Sequence, residues 1–152
     1  MIKEVQNKDN RLIITPTDGA HKAYFTSQLY QSLNSSIVVI LKDTKKALSF
    51  LDELKFFLPE KKDQIVFFPG YHILPFKSLA YHKDTSTNRL AALSKIMDSA
   101  SNPLIVVTIV ETILQKLIPK KSVNEFEELI IANEEIDRDA FITKLESGGY
   151  TK

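Results

Sequence analysis

The residues best placed to do chemistry are Thr15-Pro16-Thr17-Asp18-Gly19-Ala20-His21-Lys22-Ala23, between a short apolar run and a helix. Their outline is that of a phosphate-binding loop. A working loop of the G-x-x-x-x-G-K-[ST] type lets backbone N–H groups close on phosphates, with a lysine on the β/γ oxygens and a hydroxyl on Mg²⁺. With Lys22 in the lysine slot, Pro16 stands for the first glycine, His21 for the second and Ala23 for the Ser/Thr. Pro16 removes a donor, and His21 brings a side chain where the backbone must come close. Ala23 has no oxygen for a metal. Of the four key groups only Lys22 survives, so Pro16, Gly19, His21, Lys22 and Ala23 read as vestigial positions of a nucleotide fold, with no bound cofactor expected.

A second group lies between Pro69 and Asp84, where Tyr71, Phe76 and Tyr81 alternate with His72, Lys77, His82 and Lys83. Interleaved aromatics and bases can stack on unpaired nucleic-acid bases. The plainer reading, which we favour, folds Tyr71, Leu74 and Phe76 back over the sheet, because 20 basic against 19 acidic residues give little phosphate attraction. His72, His82 and Asp84 match no ligand spacing, and no metal site is expected. Arg89 follows in the next helix and is expected to pair with a loop carboxylate such as Asp84. A hydrolase would also need a carboxylate at the end of a buried strand. Asp52-Glu53 falls within a helix, and Glu127-Glu128 and Glu134-Glu135 lie around the last strand candidate, so this stretch is read as non-enzymatic. The glutamates from Glu125 to Glu135 are most simply a solvated face.

The elements that must position these residues follow from periodicity. Of 152 residues, 43% are hydrophobic and 26% charged, which suits one globular domain with a fragment of another. The absence of cysteine excludes disulfides, thiolate catalysis and zinc-cysteine sites. Met1 to Arg11 lacks a signal-peptide core, and the apolar run from Leu104 to Val110 is too short to span a bilayer, so a cytoplasmic protein without membrane contact is expected. Arg11 to Ile14, Ile37 to Leu41, Ile65 to Phe68 and Leu104 to Val107 read as strands. Ile37 to Leu41 is expected to be buried on both faces. Ala20 to Leu33 reads as a helix with Phe25, Leu29 and Leu33 inward. Asp43 or Thr44 caps another, with Ala47, Phe50, Leu51, Leu54 and Phe57 inward. Thr85 or Ser86 opens a third, with Leu90, Leu93 and Met97 on one face. Thr108-x-x-Glu111 has capping-box spacing and is expected to start a helix carrying Val110, Ile113, Leu114 and Leu117 up to Pro119. This alternation predicts an α/β fold, a parallel sheet with helices on both faces. Beyond it, Phe126 to Ile131 reads as a strand and Asp137 to Ser147 as a helix ended by Gly148-Gly149, the start of a small α+β subdomain.

Several blocks together resemble a known family. Phe68-Pro69-Gly70-Tyr71-His72-Ile73-Leu74-Pro75-Phe76 with Asn88-Arg89-Leu90, Ile105 to Thr108 running into Leu114 to Pro119, and Ile136 to Phe141 with Leu145 and Gly149-Tyr150 are similar to successive blocks of the bacterial transcription-repair coupling factors (Mfd). Gly19 and Lys22-Ala23 resemble that family's eroded loop. The likeness runs from about Ile13 to Lys152. Tyr71-His72 stands where the family favours Trp-Glu, and Phe76 where it favours tyrosine. The resemblance implies a P-loop-NTPase-like (RecA/helicase-type) UvrB-like domain over residues 1–119 and the truncated beginning of the UvrA-interaction subdomain over 120–152. It implies a non-catalytic scaffold module, with UvrA as partner over part of its surface and Tyr71, His72, Phe76, Lys77, Tyr81, Lys83 and Arg89 as candidate partner or nucleic-acid contacts. ATP and Mg, and the engagement of DNA and RNA polymerase, would belong to other domains of the parent, an ATP-dependent translocase. The alternatives are a nucleotide switch or enzyme retaining a metal-poor loop through Lys22, and a DNA-binding module built on the 69–84 loop.

Overall fold

Among the described residues, alternating β-branched runs and amphipathic helices build a three-stranded parallel sheet. The computed structural model describes residues 19–71, 83–100, 102–126, 132 and 135–147. The strands are β1 (Ile37–Leu41), β2 (Ile65–Phe68) and β3 (Ile105–Ile109), in the order β1-β3-β2. Ile37 lies opposite Ile105 on one side of β3, and Ile65 opposite Ile105 on the other. The expected strand over Arg11 to Ile14 lies outside the described residues.

Helix α1 (His21–Leu33) and helix α2 (Thr44–Phe57) cover one face. Ile65, Ile105, Val107 and Ile109 meet Ala23, Tyr30, Ala47, Phe50, Leu51 and Leu54 in the larger core. Helix α3 (Lys83–Met97) covers the other face, where Ala92, Leu93 and Ile96 meet Val66, Phe68 and Val106. Alternation along β2 and β3 splits their side chains between the two cores. The fold is α/β with helices on both faces of a parallel sheet.

Helix α2 follows its sequence closely. Asp43 accepts a hydrogen bond from the Lys46 amide at 2.8 Å, which satisfies one of the free N–H groups of the first turn. Its buried stripe is Ala47, Phe50, Leu51 and Leu54, with Phe57 half-buried.

Helix α1 turns a different face inward from the one its large residues suggest. Ala23, Thr26, Ser27 and Tyr30 are buried, while Phe25, Leu29 and Leu33 are half-buried. Small residues allow close helix approach, and both Ala23 and Ala47 are fully buried. The hydroxyls carry no unpaired cost, because Thr26 donates to the Lys22 carbonyl at 2.8 Å and Ser27 to that of Tyr24 at 2.7 Å. Tyr30 donates to Gln64 Oε1 at 2.8 Å and also contacts the Pro103 carbonyl. Burial pushes its phenol above the usual tyrosine value.

Three further expectations are corrected. β1 is not buried on both faces: Val38 and Ile40 are 60% and 52% exposed, because α3 covers β2 and β3 but leaves this part of the sheet bare. In α3 Leu93 packs on the core as expected, together with Ala92 and Ile96, and Arg89 is buried, but Leu90 is exposed. Thr108 does not cap a helix. It lies within β3, and its hydroxyl donates to the Phe68 carbonyl at 2.9 Å. Helix α4 (Val110–Ile113) therefore starts after Ile109 and lasts one turn, leaving Ile113 and Leu114 exposed.

The chain divides into two compact units, Met1–Lys116 and Leu117–Lys152. In the second, Pro119 begins a helix where a stop was expected. Its carbonyl accepts from the Ser122 amide at 3.0 Å at the start of α5 (Lys120–Phe126). Proline suits a helix start because the first-turn N–H it lacks has no partner there. Phe126 thus ends a helix instead of opening a strand, and 127–131 lies outside the described residues. Helix α6 (Arg138–Ser147) is capped by Asp137, whose Oδ1 accepts from the Asp139 and Ala140 amides at 3.0 and 3.1 Å. No helix among the described residues is long and apolar enough to cross a membrane.

Candidate functional site

Two groups of candidate residues share one end of the sheet. Tyr30, near the end of α1, reaches Pro103 just before β3, so α1 runs antiparallel to the strands and its first turn points toward their carboxyl ends. Open parallel sheets bind ligands at that end.

At the start of α1, Gly19 has φ +62°, the left-handed region that glycine enters without strain. A Cβ there would meet nothing within 4 Å, so the backbone angle, not space, calls for glycine. Ala20 is the N-cap and offers no side-chain acceptor to the first turn. His21 and Lys22 are exposed. Ala23 is fully buried in the core with α2. Pro16 lies outside the described residues.

At the exits of β2 and β3 the central group is Arg89. It is 3% exposed, and its guanidinium lies between two rings, 4.0 Å from the Tyr71 centroid and 4.5 Å from that of Phe68. Its Nη1 donates to the Pro69 carbonyl and, at 3.2 Å, to Gln115 Oε1. The same Gln115 oxygen accepts from the Tyr71 amide at 3.4 Å, and its Nε2 donates to Glu111 Oε1 at 3.3 Å. The expected pairing with Asp84 does not form. Five residues earlier on the helix, Asp84 is turned about 140° away from Arg89 and is exposed.

Gly70 closes this junction by proximity. A Cβ there would stand 2.9 Å from Thr112 Oγ1 and 3.5 Å from Ile109 Cδ1, so any larger residue would force the Thr112 side chain or the backbone to shift. The Thr112 hydroxyl, 1% exposed, is a buried polar group with no hydrogen-bond partner. Together these contacts tie the β2 exit to α3 and to the turn after β3. Arg89 is held here as a positioning cation, enclosed by rings and carbonyl oxygen. One face of the Tyr71 ring is already occupied, which restricts any stacking by Tyr71 to the other.

The structure thus brings Tyr71 and Arg89 together and places Lys83 at the first position of α3. His72, Phe76, Lys77, Tyr81 and His82 lie outside the described residues. Sequence reasoning missed Gly70, Thr112 and Gln115. The Pro69-Gly70 pair was one available signal, since a glycine directly after a buried strand often marks a close backbone approach. Gln115, four residues after Glu111, was another. Among the described residues no group of three or more His, Asp or Glu could hold a metal ion.

Comparison with curated proteins finds 28% identity over 133 residues with the transcription-repair-coupling factor of Escherichia coli (strain K12), across 87% of this chain and 11% of that protein. The chain is similar to part of a transcription-repair-coupling factor. The Rickettsia bellii (strain RML369-C) transcription-repair-coupling factor is likewise 28% identical over 102 residues, 66% of this chain and 9% of that protein. The family resemblance read from the sequence is therefore borne out, and the chain spans about a tenth of the length of these coupling factors. No family model matches the chain, and no solved structure matches it.

Proposed function

We propose that this chain is a non-catalytic interaction and scaffold module of a transcription-repair coupling factor, a P-loop-NTPase-like, UvrB-like fold (RecA/helicase-type) whose nucleotide loop has eroded. One observation carries the reading. Ala23, at the metal-ligand position, is buried without a hydroxyl behind the uncapped first turn of α1. An intact loop needs that hydroxyl free to reach Mg²⁺. The likeness to coupling factors of two bacteria supports the assignment.

On this reading residues 1–119 form the UvrB-like domain and 120–152 begin the UvrA-binding subdomain. The module works in the cytoplasm, recruits UvrA to sites of stalled transcription, and leaves ATP hydrolysis, DNA translocation and polymerase contact to the rest of the parent. Tyr71, Lys83 and Arg89 belong to the partner-facing end of the sheet, with Arg89 fixing its shape. The test is calorimetric titration of UvrA with this chain and with the same chain inside its full-length parent. Binding by the parent that is weakened on deleting 1–152 is expected. Equal UvrA affinity with and without these residues would overturn the proposal.

A further inference from the structure

β1 has the make-up of an inner strand and the position of an outer one. Its five residues, Ile37–Leu41, are all apolar, the pattern of a parallel strand with neighbours on both sides. Outer strands usually carry a lysine, a proline or a bulge that discourages further pairing, and β1 has none of these. Yet β3 is its one neighbour among the described strands. The Ile37 amide donates to the Leu104 carbonyl at 2.8 Å. Backbone groups alternate sides along a strand, so Ile37, Val39 and Leu41 turn theirs toward β3. Those of Val38 and Ile40 point outward, at the two residues that are 60% and 52% exposed.

The hand of the crossovers decides what stands on that side. Helix α2, on one face, carries the chain from β1 past β3 to β2, and α3, on the opposite face, carries it back to β3. Reversing both face and direction preserves the hand, so the two crossovers share it, and parallel crossovers are right-handed almost without exception. Helix α1 lies on the face of α2 and delivers the chain to β1. With the same hand it travels in the direction α2 does, so the strand before it stands beyond β1, on the side away from β3. A strand outside β2 would require a left-handed crossover. The chain ahead of α1 holds the apolar run Leu12-Ile13-Ile14, within the strand expected over 11–14. Six residues, 15–20, separate it from α1, a usual length for a strand-to-helix loop. From 11 to 41 the chain has the length of a βαβ unit, about 30 residues.

We propose that residues 11–14 dock on the outer edge of β1 as a fourth parallel strand. Their main chain meets the outward N–H and C=O groups of Val38 and Ile40, and their side chains flank the bare part of the sheet. The remnant loop then leaves the sheet three strand spacings from the β2 exit, about 14 Å, which sets its start apart from the Arg89 junction.

Amide hydrogen exchange of the full chain, read residue by residue by NMR, tests this docking. The Val38 and Ile40 amides are expected to exchange as slowly as those of Val39 and Leu41, which face β3. The double substitution Leu12→Pro/Ile13→Pro removes a donor whichever of the two faces β1, and should speed exchange at Val38 and Ile40 at least about tenfold. Val39, Leu41 and β3 should keep their protection, which checks that the sheet is folded. A second measurement needs no disruptive change. A nitroxide on Asn10→Cys, the one thiol in a chain without cysteine, should broaden the amides of β1 far more than those of β2. Fast exchange at Val38 and Ile40 in the unaltered chain, protection there that the prolines leave intact, or broadening not strongest at β1 would overturn the proposal. So would sedimentation showing a dimer that Val38→Arg dissolves, because the edge would then belong to a second copy.

Discussion

Replacing Arg89 tests whether the β2 exit is a fixed structure. The guanidinium is 3% exposed between rings 4.0 and 4.5 Å away and donates to a carbonyl and an amide oxygen. A desolvated cation–π contact is worth about 0.5–2 kcal/mol, and hydrogen bonds to a charged group about 1.5–3 kcal/mol. Desolvating the cation offsets part of this sum, so Arg89→Ala should cost about 3 kcal/mol net. For a unit of this size the melting midpoint should fall by roughly 10 °C. Arg89→Lys keeps the charge but loses the planar fork that sits between two rings, and should cost about 1–2 kcal/mol. Urea unfolding of the three proteins measures the series, and a double-mutant cycle with Tyr71→Ala should give a coupling of at least about 0.5 kcal/mol. A loss below about 0.5 kcal/mol for Arg89→Ala, the range of an ordinary surface change, would refute the description of this residue as an enclosed anchor.

Other consequences follow from the same geometry. Gly70→Ala sets a methyl 2.9 Å from Thr112 Oγ1 and should cost about 1–3 kcal/mol, largely recovered in Gly70→Ala/Thr112→Ala, as chemical denaturation would show. Thr112→Val removes a buried hydroxyl that has no partner, so it should leave stability unchanged or raise it by about 1 kcal/mol; a loss of similar size in urea unfolding would mean that the hydroxyl is satisfied. Tyr30 titrates above its unfolded value of 10.0, so the folded state holds its proton longer than the unfolded one. Its contribution is whole below about pH 10 and falls as pH rises further, a decline that Tyr30→Phe should flatten in denaturation curves taken across pH 9–11.

The parts of the fold legible in the sequence are those where one pattern had one outlet. Helix α2 shows its apolar stripe and its Asp43 cap directly, and β2 is a short apolar run between turn signals. Helix α1 was harder because its buried face includes Ala23, Thr26 and Ser27, small residues whose hydroxyls, where present, are satisfied by their own helix. Periodicity also treats every apolar residue as inward, so it could not see that Val38 and Ile40 face a part of the sheet α3 does not cover. Thr108 fits a capping box by spacing, but its hydroxyl already serves the Phe68 carbonyl across the sheet. At the start of α1, the exposure of Lys22 could be guessed locally, whereas the burial of Ala23 depends on α2. The Arg89 cluster joins residues from 68 to 115, and no local spacing connects them.

The central claim is that the loop before α1 no longer serves a nucleotide, and thermal unfolding with and without millimolar Mg·ATP or Mg·ADP tests it most directly. A ligand at about a hundred times its dissociation constant would stabilise the native state by roughly 2.7 kcal/mol. That should raise the midpoint by about 5–10 °C. The account predicts no shift with either nucleotide, because Ala23 is buried without a hydroxyl and Lys22 lies exposed on the first turn of α1. A rise of that size that disappears in Lys22→Ala would contradict it.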